Sequence, residues 1–298
     1  MIRRLLLAGT ALTAACAPGS RGTPTAAAPA LTPAPGVPPT SPATEGASAH
    51  RPDAVRYGPS ALRYVVHRRL HIQQALGDQT QAQDVGARIF VATAITGPAD
   101  SIGYPATFLV DSIVADSGTP PPIVDNVNKV RKLVFAGRVA SRGEFVNALA
   151  SDSAVAQSVV QLLGNFRDFL PRLPLDGVKP GAAWTDTVET SQKGSGSEVS
   201  RRTITHATAA GWEDRLGTRG VRVDGSQTYR VAGGGKNAGQ PFELSGAGTG
   251  SGVAYIAADG RYLGGEWQDS TTLTVRLPVQ GVAVPVIQVT RTTVAVLP

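Results

Sequence analysis

Two histidines four residues apart, His67 and His71, form the first pair of side chains in the sequence that could bind a metal ion. Their neighbours Arg68 and Arg69 are fixed cations that disfavour a second cation, and no nearby Cys, third His or carboxylate cluster completes a ligand set. We therefore predict no metal site. On a strand, Arg63, His67, Arg69 and His71 share one face. This basic face could meet the phosphates of anionic lipids, or it could be a solvated outer face.

Known catalytic motifs are missing from the sequence. There is no G-x-S-x-G nucleophile elbow and no H-E-x-x-H metal motif. Carboxylates such as Glu213, Asp214, Glu243 and Glu266 are scattered near predicted turns or strand faces, and the sequence singles out no pair among them. We predict no catalytic residue, no cofactor and no enzymatic activity.

Two glycine-rich stretches resemble phosphate-binding loops only in composition. Residues 233–237, Gly-Gly-Gly-Lys-Asn, lack the upstream glycine spacing of a P-loop, and they lack the Ser or Thr after Lys that binds magnesium. Residues 246–252 lack the G-x-G-x-x-G register and lead into a strand instead of a helix. Both stretches are predicted to be flexible hairpin loops.

Cys16 is the only cysteine in the chain, which argues against a disulfide framework. It follows a basic start, Met-Ile-Arg-Arg, and an uncharged apolar run over residues 5–15, the layout of an export signal. The run is shorter than the roughly 20 apolar residues that span a bilayer. Ala14-Ala15-Cys16 resembles the end of a bacterial lipoprotein signal, in which the cysteine receives lipid. Thr13 occupies a position that is usually aliphatic in such signals, so ordinary signal cleavage nearby is the alternative.

The segment after Cys16 changes abruptly to Ala, Pro, Thr, Gly and Ser. Such a composition cannot bury enough apolar surface to offset its ordering entropy, and its prolines favour extended conformations. We predict a signal over residues 1–16 and a disordered tether over 17–55. Fully stretched, the tether would reach on the order of 100 Å. A disordered leader without a spacing role is the alternative.

An amphipathic helix is predicted over residues about 152–170. Ser151, Asp152 and Ser153 offer N-cap oxygens, and Pro171 cannot continue the helix. The helix packs on a sheet as a core element, or it covers a ligand cavity as a lid. Its apolar face repeats at spacings of three and four residues and comprises Val155, Val159, Leu162, Leu163, Phe166, Phe169 and Leu170.

The rest of the chain alternates apolar and polar residues, the pattern of strands with one buried face. Asp259-Gly260 is a hairpin signal, because Asp-Gly readily adopts the positive φ that such turns need. About four strands and a short helix near Ile123 precede the central helix, and about seven strands follow it. The predicted fold class is mainly β with one or two helices (α+β): one domain over 56–298, with a large curved antiparallel sheet or half-barrel wrapping the helix.

Net charge gives little information about partners. The full chain carries +6, and loss of Arg3 and Arg4 with the signal leaves 26 cationic and 22 anionic side chains. Aromatic and basic residues are not interleaved, so we predict no nucleic-acid partner.

Small, proline and aromatic residues mark turns and strand ends through residues 60–298, namely Leu173, Pro174, Val178, Gly181, Trp184, Gly248, Gly250, Gly252, Asp259, Gly260 and Leu263. Together with the signal and the tether, they give a layout that resembles a family of bacterial envelope lipoproteins of unknown function. This resemblance implies no catalytic residues. More loosely, the predicted architecture is similar to the LolA/LolB/LppX class of lipoprotein and lipid carriers, whose half-barrel holds acyl chains.

Two hypotheses for function follow. In the first, an exported protein is held on a membrane of the bacterial envelope by a palmitate-bearing anchor at Cys16, faces the periplasm or the cell surface, and carries a lipid or acyl chain. Its cavity would be lined by Val159, Leu163, Phe166 and Phe169. In the second, it is an envelope scaffold with a filled core and an exposed apolar patch or sheet edge. A hydrolase is a third, weaker hypothesis, since it needs a cleft with converging titratable groups.

Overall fold

The computed structural model describes residues 53–298 except 78, 129, 131, 157–165, 195 and 238. Cys16, most of the predicted tether, and the predicted cavity residues Val159 and Leu163 lie outside the described residues.

The described residues form one eleven-stranded antiparallel sheet, so the prediction of a mainly β fold is confirmed. The strand order is β5-β4-β3-β2-β1-β11-β10-β9-β8-β7-β6. The bounds are β1 Ser60–Leu76, β2 Gln79–Ile95, β3 Tyr104–Ala115, α1 Pro121–Asn128, β4 Leu133–Val139, β5 Phe145–Ala150, a 3-10 turn Phe166–Asp168, β6 Ala183–Gly194, β7 Ser197–Arg215, β8 Thr218–Asn237, β9 Gln240–Ala257, β10 Tyr262–Leu277, a 3-10 turn Pro278–Gln280 and β11 Val282–Leu297.

Residue alternation explains the strands. In β2, Ala87, Ile89 and Val91 are buried, whereas Arg88 between them is exposed. The same period of two runs through the neighbouring strands and gives the sheet one apolar face, which we call the inner face. The hairpin at Asp259-Gly260 also forms as predicted, with Gly260 at φ 86°.

The sheet is strongly curved. Ten strand spacings of about 4.8 Å separate β5 from β6, so a flat sheet would hold these edges about 48 Å apart. Yet Arg142, in the turn between β4 and β5, lies 2.7 Å from the carboxylate of Asp186 in β6. The two edges therefore approach each other, although no backbone pairing joins β5 to β6 within the described residues.

Part of the connection between β5 and β6 fills the gap between these edges. The Leu173 amide donates to the Arg142 carbonyl at 2.9 Å, and the Trp184 indole donates to the Arg172 carbonyl at 3.2 Å. Val55, the last residue of the predicted tether, is 1% exposed and exchanges two 2.8 Å backbone hydrogen bonds with Val178. The amino-terminal segment therefore joins the domain beside this gap.

The central helix is described only at its two ends. The Val155 amide donates to the Asp152 carboxylate at 2.9 Å, so Asp152 is an N-cap, and residues 153–156 are helical. At the other end, the Phe169 amide bonds to the Phe166 carbonyl in a 3-10 turn that is followed by a bend. The predicted α-helix therefore does not continue through residues 166–170 to Pro171; the chain tightens before the proline instead. Residues 157–165 lie outside the described part.

Two apolar clusters lie on the inner face, at opposite ends of the long strands. The first contains the aromatic residues described below. The second consists of strand residues only: Ile72, Val199, Leu244, Leu273, Val275, Val284 and Val286. Polar side chains separate the two clusters.

Candidate functional site

The two predicted cavity residues that are described, Phe166 and Phe169, pack among other aromatic rings. The Phe166 ring lies 5.0 Å from Phe135 and 5.7 Å from Phe108 between ring centroids. The Phe169 ring meets Tyr64 edge to face at 5.3 Å. This geometry is favourable for aromatic pairs. The aromatic cluster comprises Tyr64, Phe108, Phe135, Phe145, Phe166, Phe169 and Tyr262.

The buried phenols around this cluster act as hydrogen-bond donors. Tyr64 donates to the Tyr262 carbonyl at 2.9 Å, and Tyr57 donates to the Pro171 carbonyl at 2.6 Å. Burial raises the pKa of Tyr57, Tyr64 and Tyr262 well above the usual value of a phenol. These hydroxyls stay protonated near neutral pH, so their role here is structural.

A group of charged side chains joins the edges of the sheet; we call it the edge clasp. Arg142 and Arg172 both donate to Asp186, at 2.7 and 3.4 Å. Arg172 also contacts Glu144 at 3.2 Å and Asp168 at 3.0 Å. The Asp186 side chain is only 10% exposed. Each carboxylate of the clasp is paired with a guanidinium group, so these ion pairs hold the turn, the connection and β6 together. No local pattern in the sequence predicts the clasp, because its members come from three separate segments: the turn between β4 and β5, the connection after it, and β6.

Polar side chains of β8 and β10 meet across β9 on the inner face. Gln227 donates to Asp269, and the Trp267 indole donates to the same carboxylate at 3.0 Å. The Tyr229 hydroxyl is hydrogen-bonded to Thr271. We call Arg201, Thr203, Gln227, Tyr229, Trp267, Asp269 and Thr271 the polar belt.

The glycines of β9 make these contacts possible. Gly250 pairs with Gln227 on one side and Asp269 on the other, so a side chain there would occupy the space in which those two meet. A Cβ on Gly248 would likewise meet the Tyr229 ring. The prediction of hairpin loops is therefore wrong: residues 233–237 end β8, and 246–252 lie inside β9. Glycine serves here for close approach of neighbouring side chains.

The polar side chains of the belt find hydrogen-bond and cation–π partners among one another. The Arg201 guanidinium lies 3.9 Å above the Tyr229 ring centre, a cation–π contact, and donates to Thr203 at 3.2 Å. Burial raises the pKa of Tyr229. The contacts hold two apolar clusters apart and show no nucleophile paired with a base.

The basic face of β1 is balanced by carboxylates. His67 contacts Asp116 at 2.8 Å, and Arg69 contacts the same carboxylate at 3.5 Å. His71 contacts Asp84 at 2.8 Å. The fourth basic residue of this face, Arg63, lies 3.7 Å from Asp111. Across the described chain, no three His, Cys, Asp or Glu side chains are grouped closely enough to hold a metal ion.

None of the described helices is long and apolar enough to cross a membrane.

Comparison with known proteins gives no family. No family model matches the sequence, and no curated protein matches it. Among solved structures, the crystal structure of Pseudomonas aeruginosa OccK2 (OpdF) aligns with 80% of this chain and 98% of its own chain, at 9% identity and a TM-score of 0.27. A TM-score of this size does not establish a shared fold.

Proposed function

We propose that this chain is a lipid-anchored, non-enzymatic protein of the bacterial cell envelope, whose β-domain is an interaction scaffold with a filled core. The single observation that carries the proposal is the packing of Phe169, whose ring lies 5.3 to 5.9 Å from those of Tyr64, Phe108 and Tyr262. Rings at these separations are in contact, so this part of the inner face is occupied by the protein's own side chains.

The anchor is part of the same proposal. Cys16 follows a lipoprotein-type signal, and the tether enters the domain at Val55, beside the edge clasp. The predicted helix would continue from its cap at Asp152 across the inner face, so that the curved sheet wraps it; the entry of Phe166 into the core supports this course.

The anchoring is tested by labelling growing cells with a clickable palmitate analogue. We expect the full chain to be labelled and recovered with membranes, and Cys16→Ala to lose the label and appear in the soluble fraction. Labelling of the Cys16→Ala variant, or a soluble and unlabelled wild type, would overturn the anchor.

A carrier of an acyl chain is the second candidate, favoured by the second apolar cluster. All of its members belong to strands, and no described element outside the sheet belongs to it. A carrier would hold its acyl chain at this end. Stoichiometric binding of a fluorescent fatty acid that is lost in Leu273→Phe and kept in Phe169→Leu would favour the carrier over the scaffold.

A further inference from the structure

We propose that an open groove on the outer face of the sheet binds a phosphate-bearing saccharide. The groove has a volume of about 770 Å³ and lies over β7 to β10. Apart from Tyr229 and Gly248, its lining residues occupy strand positions that alternate with those of the polar belt, so the groove lies on the opposite face from the filled core. The inference goes beyond the proposed function, because neither the anchor nor the aromatic cluster contributes to this groove.

One wall of the groove carries two arginines directly opposite each other. Arg202 of β7 and Arg230 of β8 are cross-strand partners, and both are exposed. Like charges in this position destabilise a sheet. Arg202 is paired with Glu189 at 3.4 Å, whereas Arg230 has no ion-pair partner within the described part of the chain. The wall therefore retains positive charge that is not neutralised locally.

An anion placed between these guanidinium groups would relieve their repulsion. Arginine presents planar, forked donors that match a phosphate, and such charge-assisted hydrogen bonds are stronger than neutral ones. The site is open to water, so its affinity for a simple ion would be weak and sensitive to salt. A ligand that binds well must make further contacts beside its phosphate.

The floor of the groove offers those contacts as hydroxyl groups. Four exposed hydroxyl residues, Thr228, Thr249, Ser270 and Thr272, surround the small residue Ala247. Each hydroxyl can donate or accept a hydrogen bond, which suits the hydroxyls of a sugar. A phosphate-binding wall beside a floor of hydroxyl groups indicates a phosphorylated sugar as the ligand. It would bind as a free sugar phosphate or as the head group of a glycolipid.

The test is calorimetric titration of the full chain with glucose 1-phosphate, inorganic phosphate and glucose. We expect glucose 1-phosphate to bind more tightly than either of the others. Arg230→Gln should weaken that binding by about tenfold or more, because it removes charge-assisted hydrogen bonds. Arg276→Gln is the matched control, since it removes an exposed arginine of β10 that does not line the groove.

Thr249→Val tests the sugar part separately, because it removes a hydroxyl while preserving shape. We expect it to weaken glucose 1-phosphate and to leave inorganic phosphate unchanged. Vesicles that contain lipid A, compared with phosphatidylcholine vesicles, distinguish the sources: binding to lipid A vesicles that is lost in Arg230→Gln indicates a glycolipid head group, and glucose 1-phosphate binding without vesicle binding indicates a free sugar phosphate.

Three results would overturn the proposal. The first is that Arg230→Gln and Arg276→Gln bind glucose 1-phosphate equally well. The second is that inorganic phosphate binds as tightly as glucose 1-phosphate, and the third is that neither glucose 1-phosphate nor lipid A vesicles bind. None of them bears on the palmitate label at Cys16 or on the filled core, so failure of this site and failure of the proposed function are distinguishable.

Discussion

Arg142, in the turn between β4 and β5, donates a 2.7 Å hydrogen bond to Asp186 of β6, and so joins the two edge strands of an eleven-stranded sheet. The carboxylate is 10% exposed and also accepts from Arg172. The curvature of the sheet is therefore fixed at its edges by side chains, in a place where no described backbone ladder closes it.

Removing the charge of Asp186 should open this clasp. Asp186→Asn leaves Arg142 without its carboxylate, whereas Arg172 keeps Glu144 and Asp168, so we expect the free energy of unfolding to fall by about 2 kcal/mol, as for a lost hydrogen bond to a charged group. Urea denaturation followed by circular dichroism measures it. Asp214→Asn is the control, because its pair with Arg219 is exposed and should contribute less than about 1 kcal/mol. Equal losses in both variants would show that the clasp is no more than a surface ion pair.

A methyl group at Gly250, between the side chains of the polar belt, should lower the stability of the fold. Gly250→Ala places a Cβ where Asp269 and Gln227 meet, and we expect a loss of about 1–3 kcal/mol from overpacking. Gly58→Ala is the control, since the nearest atom to its Cβ would be the Asp259 carbonyl oxygen at 3.7 Å, an ordinary contact. Thermal unfolding of the two variants measures the difference, and an unchanged midpoint for Gly250→Ala would contradict the close packing across β9.

Truncating Phe169 separates a filled core from a ligand cavity. Phe169→Ala removes a ring that contacts Tyr64 and Phe108, so we expect unfolding to become easier by about 3 kcal/mol or more. Leu175→Ala, on the same connection but 68% exposed, should change little. If Phe169 lined an empty cavity, its truncation would cost much less, and denaturation curves that match the Leu175→Ala control would support that alternative.

Buried phenols should make the protein sensitive to alkali. Because burial raises the pKa of Tyr64 and Tyr262 above the unfolded value of about 10, the folded state holds protons that the unfolded state releases. The stability they contribute is complete below about pH 10 and is lost as the pH rises through their folded pKa, with a slope of about 1.4 kcal/mol per pH unit for each phenol.

Tyrosinate absorbance measured against pH tests whether stability falls as these phenols ionise. We expect the signal of the buried tyrosines Tyr57, Tyr64 and Tyr262 to appear only with cooperative unfolding. Tyr64→Phe should reduce the slope of unfolding free energy against pH in this range. Reversible titration of all six tyrosines near pH 10 in a folded protein would contradict the burial of these hydroxyls.

Local periodicity was enough to predict the strands and one turn. Alternation identified the antiparallel sheet, and Asp259-Gly260 identified a hairpin, because both depend on residues close in sequence. The strand count was less accurate: about four strands were predicted before the central helix and about seven after it, whereas five and six form among the described residues. A polar residue within a run breaks the apolar pattern without breaking the strand.

Contacts between residues far apart in the chain could not be predicted from local sequence patterns. Glycine disfavours strands, so the glycines at 246–252 predict a loop, whereas their role inside β9 depends on Gln227 and Asp269 from the strands on either side. The edge clasp likewise depends on curvature that brings Arg142 to Asp186, and no spacing rule relates these two residues. Arg202 and Arg230 are 28 residues apart in the sequence, and the β7–β8 register places them directly opposite each other.

The most direct test of the filled core is native mass spectrometry of the protein purified from its own host under mild extraction, compared with its denatured mass and with an organic-solvent extract. For a filled core, we expect the native and denatured masses to agree once the covalent anchor is included, and no free lipid to be extracted in stoichiometric amount. A lipid-sized excess that disappears on denaturation and reappears in the extract would contradict it and establish a carrier.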